Sequence, residues 1–297
     1  MPELPEVETI VRMYRPRLEG RRIRAFATRW AKNCKPSAKD VRCALVGQTI
    51  VRLTRRAKWI VFGLGDGSHL LVHLRMSGRF AWAAEQRWPP QHIRATWDLD
   101  DGHRLLFCDA RKFGRIVHTR DLAAATADLG PEPLGRGFTP GRLGELLQGR
   151  RRQLKPLLLD QAVIAGLGNI YTDEALFRAG LHPLTRADQL TPGDVRRLHS
   201  AIRAVLRLAV RNHGTSIDWI YPDGWMQRRL AVYGRTGEPC RQCGTPIVAL
   251  RVAQRGTHIC PECQPPHGSP RRVSAANLKS TDGTRLRSSA TTRRPRE

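Results

Sequence analysis

The first eight residues of the chain, MPELPEVE, bring a potential amine nucleophile and three carboxylates together. Removal of Met1 would leave Pro2 with a free secondary amine, and such amines can form Schiff bases. An α-amino group titrates near pH ~7.7–8.0, against ~10.4 for lysine, so more of it is neutral at pH 7. Three carboxylates are near enough to move protons for it: Glu3, Glu6 and Glu8. Pro5 and these acids equally predict the first turn of a helix, and both interpretations can hold together.

Four cysteines near the carboxyl end follow the spacing of a metal site: Cys240, Cys243, Cys260 and Cys263. Two C-x2-C pairs separated by sixteen residues are typical of four-thiolate zinc sites. Four thiolates complete a tetrahedral shell and leave no position for water, which predicts one structural Zn²⁺. Two disulfides are the alternative, which the lack of a secretory signal pattern disfavours.

The charge of the chain predicts a polyanionic partner. Its 297 residues contain 51 Lys and Arg against 26 Asp and Glu, a formal net charge of +25. A membrane surface is the competing polyanion. The sequence has neither a signal peptide pattern nor an apolar run approaching ~20 residues. We therefore expect an intracellular, soluble protein that binds nucleic acid.

The elements that must position these residues change character along the chain. Apolar runs flank Asp66-Gly67 and Asp101-Gly102, which predicts hairpins with strands at 59–64, 69–74, 95–99 and 104–108. Helices are predicted at about 153–165, at 170–179 and from Pro192 to just before Gly214. The fold class is α+β and multidomain: an N-terminal antiparallel β-sandwich with helices, then a helical domain and a β-hairpin zinc finger.

These elements predict four segments. Residues 1–130 form the sandwich domain, and 131–234 form the helical domain, with a helix–turn–helix at about 153–180. Residues 235–264 form the zinc finger. Residues 265–297 form a basic, disordered tail, whose role as a DNA arm or a bland terminus stays open.

Several motifs, in order, resemble the bacterial formamidopyrimidine-DNA glycosylases, which excise oxidised purines from DNA. They are PELPEVE, RRAKWIVF, HLRMSG, DARKFG, GLGNIYTDEALFRAGLHP, VYGRTGEPC and AQRGTHIC, and the resemblance covers residues 1–263. The related endonuclease VIII enzymes usually begin Pro-Glu-Gly, whereas this chain has Pro-Glu-Leu. The string around Gly166 to Pro183 is similar to the helix–two-turn–helix of the family.

The resemblance implies a bifunctional glycosylase and lyase, with a catalytic set of Pro2, Glu3, Lys58 and Arg255. Pro2 would attack C1′ of the damaged nucleotide, Glu3 would transfer protons at the sugar, and Lys58 would assist departure of the base. Arg255 would contact phosphates that flank the lesion. β- and δ-elimination would then leave a one-nucleotide gap. From the residues alone, Lys58 would be a solvated strand end and Arg255 an exposed hairpin tip.

The resemblance also implies a set of DNA contacts. Met76 and Phe113 would wedge into the duplex, Arg111 would pair with the orphaned cytosine, and Glu6 would contact the lesion base. The expected backbone contacts are Asn169, Lys155, His73, His92, Tyr171 and Tyr233. Asn169 also begins a helix, where N–H groups attract an anion. Each of these residues could instead be a cap, a surface charge or a core side chain.

One segment departs from the family pattern. Residues 214–232 are several residues shorter than expected and lack the Gly-x-Pro-Gly-Tyr-Phe-like string that closes over 8-oxoguanine. We therefore expect normal excision of formamidopyrimidines and weaker preference for 8-oxoguanine. Two alternatives remain: an endonuclease VIII-type enzyme for oxidised pyrimidines, and a non-catalytic zinc-ribbon DNA-binding protein. We expect a monomer in the bacterial cytoplasm, associated with the nucleoid.

Overall fold

The first helix, α1 (Leu4–Leu18), is built as its sequence predicts. The Glu6 carboxylate accepts the backbone N–H of Glu3 at 2.9 Å, which caps the first turn, and Pro5 lies within that turn. Val7, Ile10 and other apolar residues at helical spacing are buried. The computed structural model describes residues 1–85, 89–215 and 224–268. Along these ranges, no helix is both long and apolar enough to cross a bilayer.

Two sheets share one hydrophobic core with α1, which confirms the sandwich. The first sheet has the order β1 (Ile23–Thr28), β7 (Ile93–Leu99), β8 (Arg104–Cys108), β6 (Arg79–Trp82). The second has the order β2 (Cys34–Lys35), β9 (Arg115–Thr119), β5 (His69–His73), β4 (Trp59–Leu64), β3 (Ile50–Arg56). The strands pair antiparallel as expected, except that the short β2 runs parallel to β9.

Both Asp-Gly hairpins are confirmed. Gly67 and Gly102 adopt φ values of 81° and 82°, where a glycine avoids the strain of a side chain. β4 pairs with β5, and β7 pairs with β8, antiparallel in each case. Two helices that the sequence did not predict accompany the sheets, α2 (Ala38–Leu45) and α3 (Leu122–Ala125).

The helical part contains α4 (Pro140–Leu147), α5 (Leu154–Leu158), α6 (Asn169–Ala179) and α7 (Pro192–Arg211). Thr191 caps α7 as predicted, since its side chain accepts the Asp194 N–H. The helix expected at 153–165 was wrong in length, because α5 ends at Leu158. The side chains of Asp160 and Gln161 bond backbone groups between 159 and 167 and so compete with helical bonds.

The predicted ribbon near the cysteines is confirmed as a hairpin of β10 (Val248–Val252) and β11 (Arg255–Ile259). Ala253 and Gln254 form its tip with positive φ angles of 45° and 62°. Buried Phe177 of α6 packs in one cluster with Val232 and the cysteines. The hairpin is thereby fixed against the helical part. The predicted tail lies outside the described residues from 269 onward.

Candidate active site and DNA-binding residues

Glu3 connects the N-terminal sandwich domain to the helical part through hydrogen bonds to the start of α6. Its carboxylate accepts backbone N–H groups of Gly168 at 2.7 Å, Ile170 at 2.9 Å and Tyr171 at 3.4 Å. These donors surround the start of α6, where the helix dipole favours an anion. The anion that this helix end holds is therefore the protein's own Glu3, not a phosphate. Burial raises the pKa of Glu3 to about 7, against the opposing charge of Lys58.

Glu6 is buried and fully engaged by the protein. One carboxylate oxygen caps α1, and the other accepts the N–H of Thr215 at 2.8 Å and the hydroxyl of Tyr171. Tyr171 is itself completely buried. The predicted phosphate contact at Tyr171 thus lies in the core, because its hydroxyl is used to hold Glu6.

Lys58 is 4% exposed and lies in the turn between β3 and β4. The residue before it, Ala57, has a φ of 53°, and its N–H donates to Glu132. The same carboxylate accepts Arg55 at 2.8 Å and Arg56 at 3.2 Å. Burial lowers the pKa of Lys58, while Glu3 and Glu6 act to raise it. The contacts with Glu132 hold the turn that carries Lys58. Lys58, with its lowered pKa, is held close enough to Glu3 for their charges to interact.

Pro2 is buried and directly precedes Glu3. Its nitrogen is part of the Met1–Pro2 peptide bond in the full sequence and becomes a secondary amine once Met1 is removed. The structure thus brings three of the four predicted catalytic residues into one buried cluster: Pro2, Glu3 and Lys58. A buried acid near neutral pKa beside a nucleophile suits general acid–base chemistry.

The two predicted wedge residues, Met76 and Phe113, and the predicted cytosine partner, Arg111, are exposed on two loops. Met76 is 38% exposed and Phe113 is 51% exposed, and the Arg111 guanidinium lies 4.8 Å from the centre of the Phe113 ring. Exposed apolar side chains next to a cation suit insertion into a duplex.

Asp109 ties these two loops together and was missed by the sequence reasoning. Its carboxylate accepts the Ser77 hydroxyl, the Arg111 N–H at 3.2 Å and the Gly114 N–H at 2.7 Å. It is 1% exposed. Its place at the start of the DARKFG motif was a signal, because a buried acid after a strand needs several donors.

The predicted backbone contacts fall in different surroundings. Lys155 is fully buried, and its Nζ bonds Asp173 at 2.6 Å and the carbonyl of Gly256 at 2.9 Å, so the structure does not present it at the surface. Arg255 is exposed at the start of β11. Asn169 begins α6 and donates to the same Gly256 carbonyl at 2.9 Å.

Three further predicted contacts are aromatic or imidazole groups. Burial lowers the pKa of His73 to about 3, so this imidazole is neutral. Its Nδ1 accepts the Arg75 N–H at 3.0 Å, which leaves Nε2 as the donor. His92 is half-buried. Tyr233 is half-buried, with its ring 4.8 Å from that of His258.

The four cysteines fit a zinc ion. Their sulfur atoms all lie within 4.8 Å of one another, including pairs at 3.8, 3.6 and 3.4 Å. Tetrahedral zinc with bonds of ~2.3 Å places its sulfurs about 3.8 Å apart. The four thiolates would hold the ion without an open position, so the metal's contribution is to cross-link the hairpin.

Two other acids hold the site and were not singled out from the sequence. Glu132 falls in the Gly-Pro-Glu-Pro segment, which was interpreted only as a linker. Glu174 is buried and accepts three consecutive N–H groups, of Ala231, Val232 and Tyr233, at 2.8–2.9 Å. A glutamate in a helix gives no local sign that it will bind a loop more than fifty residues away.

A buried acid next to Pro2, on a basic protein with exposed apolar side chains on two loops, is the arrangement expected of one class: the DNA glycosylases that cleave through a covalent imine. Family models match residues 1–116 as the formamidopyrimidine-DNA glycosylase N-terminal domain and 129–220 as its H2TH domain. Residues 237–266 match the zinc finger found in FPG and IleRS. The chain belongs to the formamidopyrimidine-DNA glycosylase family.

Individual similar proteins carry the same family name. The chain is 47% identical to the formamidopyrimidine-DNA glycosylase of Chloroflexus aurantiacus, over 89% of this chain and 98% of that one. It is 46% identical to that of Symbiobacterium thermophilum, over 92% and 93%. A structure of MutM with DNA containing carbocyclic 8-oxo-G matches with a TM-score of 0.84 and 36% identity, over 89% and 100%. A Lactococcus lactis FPG complex with Fapy-dG DNA matches with 0.83 and 36%, over 89% and 100%.

Proposed function

We propose that this chain is a base-excision-repair DNA glycosylase and AP lyase that removes formamidopyrimidines and 8-oxoguanine. The observation that carries the proposal is the buried cluster in which Pro2 directly precedes Glu3, held by the start of α6. Relatives with DNA containing 8-oxo-G, Fapy-dG and abasic sites support the substrate class. The non-catalytic alternative gains no support, because Pro2, Glu3 and Lys58 are all present and buried, and hydrogen bonds hold the Glu3 carboxylate.

The reaction begins when the Pro2 nitrogen attacks C1′ and the bond from C1′ to the base breaks. The electron pair leaves with the base, and Lys58 assists that departure by proton transfer. Glu3, with its pKa near 7, is partly protonated at neutral pH and can donate to O4′ as the sugar ring opens. The resulting iminium acidifies the neighbouring sugar carbon. Successive β- and δ-elimination then expels both phosphates, and hydrolysis frees Pro2.

Extrusion of the lesion falls to the exposed loops. Met76 fills the space left by the flipped nucleotide, Phe113 kinks the adjoining step, and Arg111 bonds the orphaned cytosine. Unstacking a base costs a few kcal/mol, which wedge contacts offset. Glu6, although engaged within the protein, lies in the same buried cluster and remains our proposed contact to the lesion base.

We assign phosphate binding to five polar residues. Arg255 and Asn169 bind the backbone beside the lesion, and His73, His92 and Tyr233 bind flanking phosphates. Lys155 and Tyr171 support these contacts from beneath, since both are buried. If ~6 phosphates are neutralised, log K should fall with log[salt] at a slope of about −5. A flat response would contradict binding through the phosphates.

Borohydride trapping on abasic DNA tests the chemistry. We expect a covalent adduct with the processed protein and a clearly lower yield with a Pro2→Gly variant of normal unfolding temperature, whose terminal amine is primary rather than secondary. Mass spectrometry should show that Met1 is absent from the trapped species. An adduct of equal yield with Pro2→Gly, or full nicking by protein that retains Met1, would contradict the assigned nucleophile.

Lesion preference is the finer part of the proposal. The shortened segment 214–232 includes residues 216–223, which lie outside the described residues. We propose slower excision of 8-oxoguanine than of formamidopyrimidines, relative to a long-loop family member. Single-turnover rates on both lesions opposite cytosine test this, and equal ratios for the two enzymes would refute it. A panel of oxidised pyrimidines tests the endonuclease VIII alternative.

We also propose that the chain divides near residues 130, 234 and 264. Three hydrophobic clusters, each drawn mainly from one of the first three segments, support this division, although Leu4 belongs to the second cluster and Phe177 and Val232 to the third. We place the protein in the bacterial cytoplasm, at the nucleoid, since the curated relatives are bacterial DNA-repair enzymes. It acts as a monomer. Light scattering with and without a duplex would show a dimer if this is wrong.

A further inference from the structure

A buried ion pair lies between the helical part and the zinc hairpin. Lys155 Nζ and Asp173 Oδ1 are 2.6 Å apart, and both side chains are completely buried. The other oxygen of Asp173 accepts the His258 backbone N–H at 3.0 Å and lies 3.4 Å from its Nδ1. A single carboxylate thus contacts α5 through the lysine and β11 through His258, from its own place on α6.

Lys155 also contacts the hairpin near its tip, at Gly256. The Gly256 carbonyl accepts both Lys155 Nζ and Asn169 Nδ2, each at 2.9 Å. Gly256 follows Arg255 directly in the chain, and its carbonyl accepts a hydrogen bond from Asn169. This carbonyl therefore links the two proposed phosphate-binding residues, Arg255 and Asn169. Without Asp173 the buried ammonium would lose its counter-charge, which makes its position at this carbonyl unfavourable.

We propose that Asp173 is a positioning residue for DNA binding: it fixes the hairpin tip so that Arg255 and Asn169 grip the same stretch of phosphate backbone. Asp173 itself is buried and touches no DNA. Asn169 lies on α6 and Arg255 lies on the zinc hairpin. The distance between these two phosphate-binding side chains therefore depends on how α6 and the hairpin are held together. The inference rests on the proposed function, since it assumes that both residues bind phosphate.

The sign of the effect of Asp173→Asn separates this role from simple electrostatics. The substitution raises the formal charge of the chain from +25 by one unit, which by itself strengthens binding to DNA. Positioning predicts the opposite: a KM for lesion-containing duplex raised about tenfold, with kcat within twofold, because the reactive cluster is untouched. A tenfold change in KM corresponds to ~1.4 kcal/mol.

Glu238→Gln is the matched control. Glu238 is an exposed acid on the same finger, paired with Arg235 at 2.8 Å. Its removal changes the charge equally and leaves the Asp173 contacts in place. We expect an unchanged or slightly lower KM. Zinc content and unfolding temperature of both variants show whether the finger remains intact.

A double-mutant cycle with Arg255→Ala gives a readout that general destabilisation would not produce. If Asp173 acts through Arg255, Asp173→Asn should change the KM less than twofold once Arg255 is absent. Additive effects, or an affinity that rises as in Glu238→Gln, would overturn the inference. If Asp173→Asn loses zinc, the charge-neutral pair Asp173→Asn with Lys155→Gln enters the same cycle, with the same deciding outcomes.

The proposed function fails separately from this inference. Wild-type protein that neither excises lesions nor forms a borohydride adduct would refute the function. Wild-type protein that does both, with no coupling between positions 173 and 255, would refute only the positioning role.

Discussion

Gly168 is the position where one added methyl group should do most harm to the site. Its φ of −136° and ψ of −162° suit any residue, so alanine causes no backbone strain. A Cβ at this position, however, would lie 2.3 Å from Cδ of Glu3 and 2.5 Å from its Oε1. The three atoms nearest to that Cβ all belong to Glu3, so Gly168→Ala tests this contact first.

The distances give the size of the effect. Carbon atoms in contact are normally ~3.5–4.0 Å apart, so the Glu3 carboxylate must move by roughly 1 Å. That shift lengthens its bonds to the N–H groups of Gly168 and Ile170, now 2.7 and 2.9 Å. Losing one of these costs ~1.5–3 kcal/mol in the free energy of unfolding. A displacement of ~1 Å at a reacting group also costs about 100-fold in rate.

Single-turnover excision and urea unfolding measure both effects. Gly144→Ala is the control, because it lies within α4 and its Cβ would meet Val195 at an ordinary 3.8 Å. That variant should keep full activity and gain up to ~1 kcal/mol of stability.

Two results would refute the reasoning. One is excision by Gly168→Ala within twofold of wild type. The other is a stability cost that persists in a Glu3→Ala background, where the clashing carboxylate is gone and the methyl group has room.

Further predictions concern pH, base choice and zinc. The folded pKa of Glu3, about 7, exceeds its ordinary 4.5, so its stabilising contribution is complete below pH 4.5 and is lost as the pH rises through 7. Glu3→Gln should therefore gain about 2–3 kcal/mol relative to wild type between pH 5 and pH 8 in urea unfolding; a parallel pair of pH profiles would contradict this. Asp109→Asn should reduce the ratio of excision rates opposite cytosine and adenine by roughly tenfold, since the loop holding Arg111 loses an acceptor; an unchanged ratio would argue against that link. Cys243→Ser should lose most of its zinc by metal analysis and bind duplex at least about tenfold more weakly, because Arg255 is no longer held; full affinity without metal would rule out the structural role.

Local sequence patterns were sufficient to predict the two hairpins and α7. Asp-Gly between apolar runs gives a hairpin because only a few residues favour positive φ there, and both hairpins are present. The Thr191 cap and the apolar spacing behind it placed α7. Failures arose where side chains compete locally for backbone groups, as Asp160 and Gln161 do beyond α5.

The sequence by itself determined the reactive residue types, the zinc site and the basic character, because each depends on composition or short spacing. Only the tertiary structure decided that the Glu3 carboxylate binds the start of α6. Glu3 and its hydrogen-bond donor Gly168 are 165 residues apart along the chain. It also decided that Lys155 is buried against Asp173 and that Tyr171 holds Glu6. A charged or hydroxyl group carries no local record of its partner. Burial selects that partner, since an unpaired polar group away from water is too costly to keep.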